Sequence, residues 1–385
     1  NAKGNNKPIN SPAKRIIAIS KVRHVLGISG GKDSAALAIY MKTKYPSLDF
    51  EFYTCDTGKE LDETYQLIKN LEVFLGIKIN LLQAAQNSSE DPFDHFLKMY
   101  GGFLPSSNSR WCTKKLKLEP FEKYVGTDLV ISYVGIRGDE EREGYISTKK
   151  NIQSIFPFRK NIWSEDVVAK LLSNQNFEKL QSLASNVDFG RFQDKATQII
   201  ARKLEPSFTQ AQKLNSLLDT DVKGFNHLVF EFLKTTDYPL STETSFPLLD
   251  NEDVLVRADI FKILEESGVG VPAYYNKVDF DVKGKTGQYS RSRSGCYFCF
   301  FQQKIEWVWL YEQHPDLYKK AMQYEKDGYT WGQTESLEEL IQPARMEQIK
   351  TEYMKRMEKK SQIKSPYLID ILSEEEGVGC AACFI

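Results

Sequence analysis

Short apolar runs alternate with longer amphipathic stretches over the first third of the chain. Val25-Leu26-Gly27-Ile28 is apolar throughout and leads into Ser29-Gly30-Gly31. A continuous apolar run that ends in glycines is the pattern of a strand buried on both faces of a parallel sheet. Ala35 to Tyr45 follows, rich in Ala, Leu, Ile and Met, and predicts a helix that Pro46 stops. Phe50 to Cys55 predicts a second strand. Leu61 to Leu75 is amphipathic and Gly76 ends it. Ile77 to Leu82 and Leu129 to Ile136 predict a third and a fourth strand. Alternation of strand and helix predicts a doubly wound parallel α/β sheet. Ligands of such sheets lie beyond the C-terminal strand ends, so Ser29–Ser34, Asp56–Gly58 and Gly135–Arg137 are expected on one rim.

The pattern then changes. Residues 164–240 carry helical periodicity, with Ser164 as a candidate cap for a helix through Leu172 and further helices near Phe192–Leu204 and Phe208–Leu218. This block predicts a helical insertion without chemistry of its own. A strand-free stretch follows, with a helix near Val254–Glu266, then a polar stretch from Lys277 to Ser294. Gly295-Cys296-Tyr297-Phe298-Cys299 leads into an aromatic helix near Gln302–Glu312. Three units are expected: an α/β domain over 1–160, a helical insertion over 161–245, and a C-terminal helical region with Cys-x-x-Cys pairs over 246–385. The polar start, Asn1 to Pro12, has no signal-peptide core and reads as a frayed beginning.

Charge and composition narrow the function. Among 385 residues, 41% are hydrophobic and 27% charged, with a formal net charge of −1. No general basic field draws the chain to nucleic acid, so any such contact needs a local patch or a partner. No run of about 18 apolar residues suggests a membrane span, and a cytoplasmic protein is expected. Six cysteines occur: Cys55, Cys112, Cys296, Cys299, Cys380 and Cys383. Four form two Cys-x-x-Cys pairs, which in a large intracellular enzyme favour metal, cluster or redox chemistry over disulfides. Cys55 lies in a predicted strand and reads as a small core residue. The four histidines have no metal or triad spacing, and Trp307, Trp309 and Tyr311 read as core.

Ser29-Gly30-Gly31-Lys32-Asp33-Ser34 carries the strongest chemistry. It follows a strand and opens a helix, where free backbone N–H groups and the helix dipole favour an anion. Two glycines let the backbone approach phosphate oxygens, Lys32 adds a point charge, Ser34 a hydroxyl, and Asp33 a carboxylate suited to Mg²⁺ through water. The spacing is not that of a P-loop NTPase. A ligand-free Gly-rich turn is the competing reading, which the strand–loop–helix context disfavours.

The loop resembles the Ser-Gly-Gly-x-Asp-Ser loop of the ATP pyrophosphatase family. Further segments resemble its phosphoadenylylsulfate (PAPS) reductase branch: Asp56-Thr57-Gly58 with Glu63-Thr64, Arg110-Trp111-Cys112 through Lys117 and Pro120, Gly135-Ile136-Arg137 with Asp139, Glu140 and Arg142, and Arg291 to Cys299. Within that branch the chain is most similar to the DNA phosphorothioation proteins DndC and SspD, and residues 295–302 with Tyr329-Thr330-Trp331 look most like the SspD type. The resemblance implies an adenine nucleotide alpha-hydrolase-like fold and ATP cleavage between the α and β phosphates. It implies ATP and Mg²⁺ on Ser29, Gly30, Gly31, Lys32, Asp33 and Ser34, with Asp56 and Gly135 enclosing the nucleoside. Lys32, Asp33, Ser34 and Arg137 would be catalytic. Cys112, Cys296 and Cys299 would hold a [4Fe–4S] cluster on a part of the rim separate from the loop, with zinc or plain buried thiols as alternatives. Cys380 and Cys383 would complete the cluster, relay sulfur or do neither. Partners would be DNA and a cysteine desulfurase or another sulfur donor, and the role would be defence. A PAPS or APS reductase, an RNA thiolase and a nucleotide-sensing module remain as alternatives. Arg137, Arg142, Arg291 and Arg293 are candidates for anionic substrate contacts, and Lys114, Lys115 and Lys117 form a basic run.

Overall fold

The computed structural model describes residues 22–140, 147–326, 328–332 and 334–362. Five parallel strands form one sheet: β1 (Arg23–Gly27), β2 (Phe50–Asp56), β3 (Asn80–Gln83), β4 (Val130–Tyr133) and β5 (Ile152–Ile155). The spatial order is β3-β2-β1-β4-β5. The chain winds outward from β1 on one side and returns on the other, so the switch point lies between β1 and β4. That crevice is where ligands of open α/β sheets sit. The α/β class expected from the alternating pattern is therefore the fold.

The fifth strand escaped the sequence pattern because Ile152-Gln153-Ser154-Ile155 is short and half polar. All four residues are nonetheless buried. The reason is tertiary: Leu240 donates its amide to Gln153 Oε1 at 3.1 Å, and the segment before it covers this sheet edge.

Helix α1 (Lys32–Lys44) begins three residues earlier than the apolar pattern suggested. Gly31 is its N-cap, so Lys32, Asp33 and Ser34 form the first helical turn. Asp33 there complements the positive end of the helix dipole. Helix α2 (Asp62–Leu75) ends at Gly76 with φ +68°, the left-handed cap the sequence predicted.

The helical block runs through Glu165–Leu172, Phe177–Ala184, Gln193–Ile200, Gln210–Thr220 and Val222–Leu233. Its apolar stripes share one core with α1 and the sheet: Leu37, Met41 and Ile155 meet Val168, Leu171, Phe225 and Leu228. Buried Trp163 donates to Asn226, which in turn donates to the Leu249 carbonyl, so the block is tied to the sheet by polar as well as apolar contacts. Ser164 sits at the N-cap of the first of these helices, but its side chain makes no capping bond.

A second core joins residues 84–116 to the C-terminal helices. Its centre is aromatic: Phe298 stacks on Trp331 at 4.8 Å and meets Phe93 at 4.5 Å. The stretch expected to be merely polar forms a hairpin, β6 (Val278–Val282) and β7 (Lys285–Tyr289), turning at Lys283 and Gly284, both with positive φ. Only Phe280, Val282 and Tyr289 are buried along it, which left too few apolar positions to read. Between the two cores, residues 111–125 run as one helical stretch that widens to a π turn at Lys114–Leu118, immediately before Pro120, which lacks an N–H to donate.

Phe298 anchors the segment that carries two cysteines, so its packing positions them. Phe298→Ala should lower the unfolding free energy by about 3–5 kcal/mol, read by urea denaturation.

Candidate functional site

The rim at the switch point is built by close backbone approach. Ile28 extends β1 by donating to the Tyr53 carbonyl at 2.7 Å, and the chain then turns. Gly30 has φ +73°, and a Cβ there would stand 2.2 Å from Thr64 Cγ2 on α2. A Cβ at Gly135, beyond β4, would stand 3.0 Å from the Asp33 carbonyl oxygen. Gly30 is thus required by contact and by conformation, and Gly135 by contact. Ser34 braces the turn: its hydroxyl accepts from the Ser29 amide and donates to the Gly31 carbonyl. Gly31 has no side chain to cap α1, its amide donates to Ser29 Oγ at 3.4 Å, and the helix dipole at this end favours an anion. The Lys32 amide faces Tyr275 Oη at 3.3 Å.

Charge is concentrated beneath this turn. Lys32, Asp33 and Arg137 are 3%, 5% and 3% exposed. Asp33 bridges the two cations, with Oδ2 at 3.1 Å from Lys32 Nζ and Oδ1 at 2.9 Å from Arg137 Nη1. Arg137 also meets Asp139 at 2.8 Å and Glu140 at 3.0 Å. Burial pushes the Lys32 ammonium below its ordinary pKa, against the pull of Asp33. Burial acts to raise Asp33, but the charges of Lys32 and Arg137 outweigh it and hold the carboxyl below its usual range. Arg137 is raised despite burial, by Asp33 and Glu140. Both Asp33 oxygens are engaged by cations, so in this arrangement the residue orients Lys32 and Arg137 and is poorly placed to serve Mg²⁺.

The second rim segment lies at the end of β2. Asp56 Oδ1 accepts from the Gly58 amide at 2.8 Å and from Tyr65 Oη at 3.0 Å. Thr57 donates to Glu60 at 2.7 Å and stands 3.2 Å from Cys296 Sγ. Cys296 bridges Glu60 as an added antiparallel step, and the Tyr297 amide donates to the Lys59 carbonyl. Burial raises the Glu60 carboxyl and, with Glu60 adding to it, the Cys296 thiol. Burial likewise raises Cys299, against the Arg293, Arg291 and Lys117 charges.

The segment that carries the distal cysteines reaches the loop through Ser294, while Cys296 packs at the end of β2. Tyr274 donates from Oη to the Gly30 carbonyl, and the Tyr274 carbonyl accepts from the Arg291 amide. Ser294 Oγ lies 2.5 Å from where a Gly31 Cβ would be. The aromatic core folds the 291–299 segment onto the loop, which no local pattern could announce.

Cys112, on the Trp111–Thr113 turn, is half-buried and packs on the same aromatic core as Cys296. None of the three forms a disulfide among the described residues. Thiols suit an iron–sulfur cluster in donor chemistry. Among the described residues, however, no three His, Cys, Asp or Glu groups are assembled to hold a metal. Cys55 on β2 is pushed up to about 12 by burial, as a core thiol would be. Cys380, Cys383 and Arg142 lie outside the described residues.

Trp307 and Trp309 are core, and His24 is buried against Tyr133 Oη at 2.8 Å. Lys115 pairs with Glu119. No motif along the chain marks Tyr274, Tyr275 or Arg257. The Lys32 ammonium lies 5.1 Å from the Tyr275 ring, and the Arg257 amide donates to Asp139. These residues reach the site only through the fold of 257–275.

Residues 23–180 match the phosphoadenosine phosphosulfate reductase domain. The matched segment spans the sheet and the start of the helical block, and it is similar to proteins of the PP-loop, or adenine nucleotide alpha-hydrolase, superfamily, whose members bind ATP. The chain is 31% identical over 169 residues to an uncharacterized protein of Methanocaldococcus jannaschii, covering 40% of this chain and 33% of that one. It is 30% identical over 145 residues to an uncharacterized nin region protein of Escherichia phage lambda, covering 31% and 49%. A tRNA-specific 2-thiouridylase of Mannheimia succiniciproducens is 24% identical over 147 residues, covering 34% and 36%. The chain thus spans between a third and a half of the length of these relatives. No helix among the described residues is long and apolar enough to cross a membrane.

Asp33 holds two buried cations at the start of α1. Asp33→Asn leaves Lys32 and Arg137 facing each other without it, and should cost about 3–5 kcal/mol of stability by urea denaturation, as breaking a buried ion pair does.

Proposed function

We propose that this chain is a cytoplasmic ATP pyrophosphatase that adenylates a substrate oxygen for sulfur transfer, with a DNA backbone phosphate as the substrate. The observation that carries the reading is the buried Lys32–Asp33–Arg137 bridge at the start of α1, on the sheet's switch point, with the cysteine segment laid against it.

In this reading the triphosphate lies along residues 29–34. Backbone donors at the start of α1 and the Lys32 ammonium face its oxygens. Lys32 gains stabilisation as negative charge builds on the leaving pyrophosphate, and Arg137 fixes Asp33 so that Lys32 stays aimed. A substrate oxygen forms a bond to the α-phosphorus, the bond from that phosphorus to the bridging oxygen breaks, and pyrophosphate leaves. Mg²⁺ would ride on the phosphates, neutralising their charge. Asp56 and Gly135 flank the nucleoside side of the crevice.

Cys296 and Cys299 are the sulfur-handling pair of this proposal, supplied by a cysteine desulfurase or another sulfur donor. A [4Fe–4S] cluster on Cys112, Cys296 and Cys299 fits this reading in donor chemistry, and no step is assigned to it. DNA contact belongs to a local patch or a partner, given the net charge of −1. The likeness to a tRNA 2-thiouridylase favours RNA thiolation as the second reading.

Purified protein should convert ATP to AMP and pyrophosphate, faster with DNA than with tRNA. Lys32→Ala should slow pyrophosphate release about 10²- to 10³-fold. ADP as the main product would overturn the assignment, and stimulation by tRNA alone would favour the second reading.

A further inference from the structure

Lys32 offers the loop two donors, a backbone amide and an ammonium, and one side chain from 243 positions away covers both. Tyr275 Oη accepts from the Lys32 amide at 3.3 Å, and the Tyr275 ring centroid lies 5.1 Å from the Lys32 ammonium. The Ser29 amide donates to Ser34 Oγ and the Gly31 amide to Ser29 Oγ, both within the turn. Tyr275 comes from outside it. With Asp33 on the ammonium as well, the Lys32 side chain is left only 4% exposed.

A phenol oxygen is a neutral acceptor. A phosphate oxygen is a charged one, and hydrogen bonds to charged acceptors are roughly twice as strong. The dipole of α1 favours the anion further. Tyr275 therefore gives the Lys32 amide a weaker form of the acceptor that a polyphosphate brings. The two compete, because there is one N–H, and the ring lies on the ammonium that a phosphate has to meet.

Exchange needs a segment that can move. Tyr275 ends the three-residue turn Ala273–Tyr275. Gly268 and Gly270 precede that turn with φ +75° and +84°, and a Cβ at either would meet nothing within 4 Å. Glycines between elements absorb changes of φ and ψ at little cost. Tyr274 sets the closed position. Its Oη donates to the Gly30 carbonyl at 3.1 Å, and its ring lies 4.6 Å from that of Tyr275. Two hydrogen bonds and a few ring contacts hold the turn on the loop, little enough for a ligand to displace.

We propose that the Tyr275 hydroxyl stands in for a phosphate oxygen at the start of α1, so that the polyphosphate of a nucleotide takes its seat by displacing it. This rests on residues 29–34 being the seat of ATP and adds to that reading the residue that governs entry. Tyr275 keeps Lys32 covered until a polyphosphate arrives. Its displacement weakens binding, because only molecules with Tyr275 withdrawn are competent to bind.

The test uses the full chain with α,β-methylene-ATP and inorganic pyrophosphate as probes, read by calorimetric titration, with melting temperature as the check on folding. Tyr275→Phe keeps the ring against Tyr274 and Phe261 and removes only the hydroxyl. It should bind both probes about 2- to 10-fold more tightly than the wild type, the range set by losing one competing hydrogen bond. A residue that merely props the loop would give the opposite sign. Hydrogen exchange on the wild type supplies a second measurement that needs no variant. Either probe should slow exchange over residues 29–34 and quicken it over 268–276. Binding to Tyr275→Phe that is no tighter, or exchange over 268–276 that slows with probe, overturns the proposal. If neither protein binds either probe, the seat of ATP itself is wrong and the proposal goes with it. Probes bound with the expected tightening while ATP stays uncleaved would count against the pyrophosphatase reading and leave the exchange standing.

Discussion

The Asp33 carboxylate holds this protein's rim together. It sits in the first turn of α1 and reaches Lys32 beside it and Arg137 from beyond β4. Three charges at such low exposure are tolerable only as a set, because each cation loses hydration that the carboxylate replaces. The bridge ties the end of β1 to the end of β4 across the switch point. Gly135 allows it, since any Cβ there would press on the Asp33 carbonyl. The sheet's topology opens a crevice between these two strands, and the bridge fixes what lines it.

The second core decides what faces that crevice. Phe93, Phe298 and Trp331 come from three distant parts of the chain, and their stacking brings Cys296 to Thr57 at the end of β2 and Ser294 to the loop. The loop and the segment that carries the cysteine pair are therefore positioned by two cores. Cysteine activation is not evident in this arrangement, since burial raises both thiols. The Arg293, Arg291 and Lys117 charges act to lower Cys299, and burial outweighs them.

The helical block contributes support. It covers the edge strand β5, merges with the core under α1 and leads the chain to 257–275, from which Arg257, Tyr274 and Tyr275 reach the loop. Its influence on the site is carried by packing, which explains why it shows no chemical pattern of its own.

The sequence by itself determined the alternation of strand and helix, the parallel sheet, and the loop at 29–34 with its glycines, lysine and aspartate. Each is legible because its signal is local: an apolar run, a helix stop at Pro46 or Gly76, a turn that needs Gly30. It also named Arg137 and the two distal cysteines through their motifs. Tertiary structure alone decided the rest. β5 is a strand because the block buries it, and the β6–β7 hairpin is too polar to be seen along the chain. Lys32 to Ser34 are helical because Gly31 caps α1. Asp33 proved to be the partner of two cations. Asp33 and Arg137 stand 104 positions apart and Gln153 and Leu240 87, and no local pattern encodes such pairings.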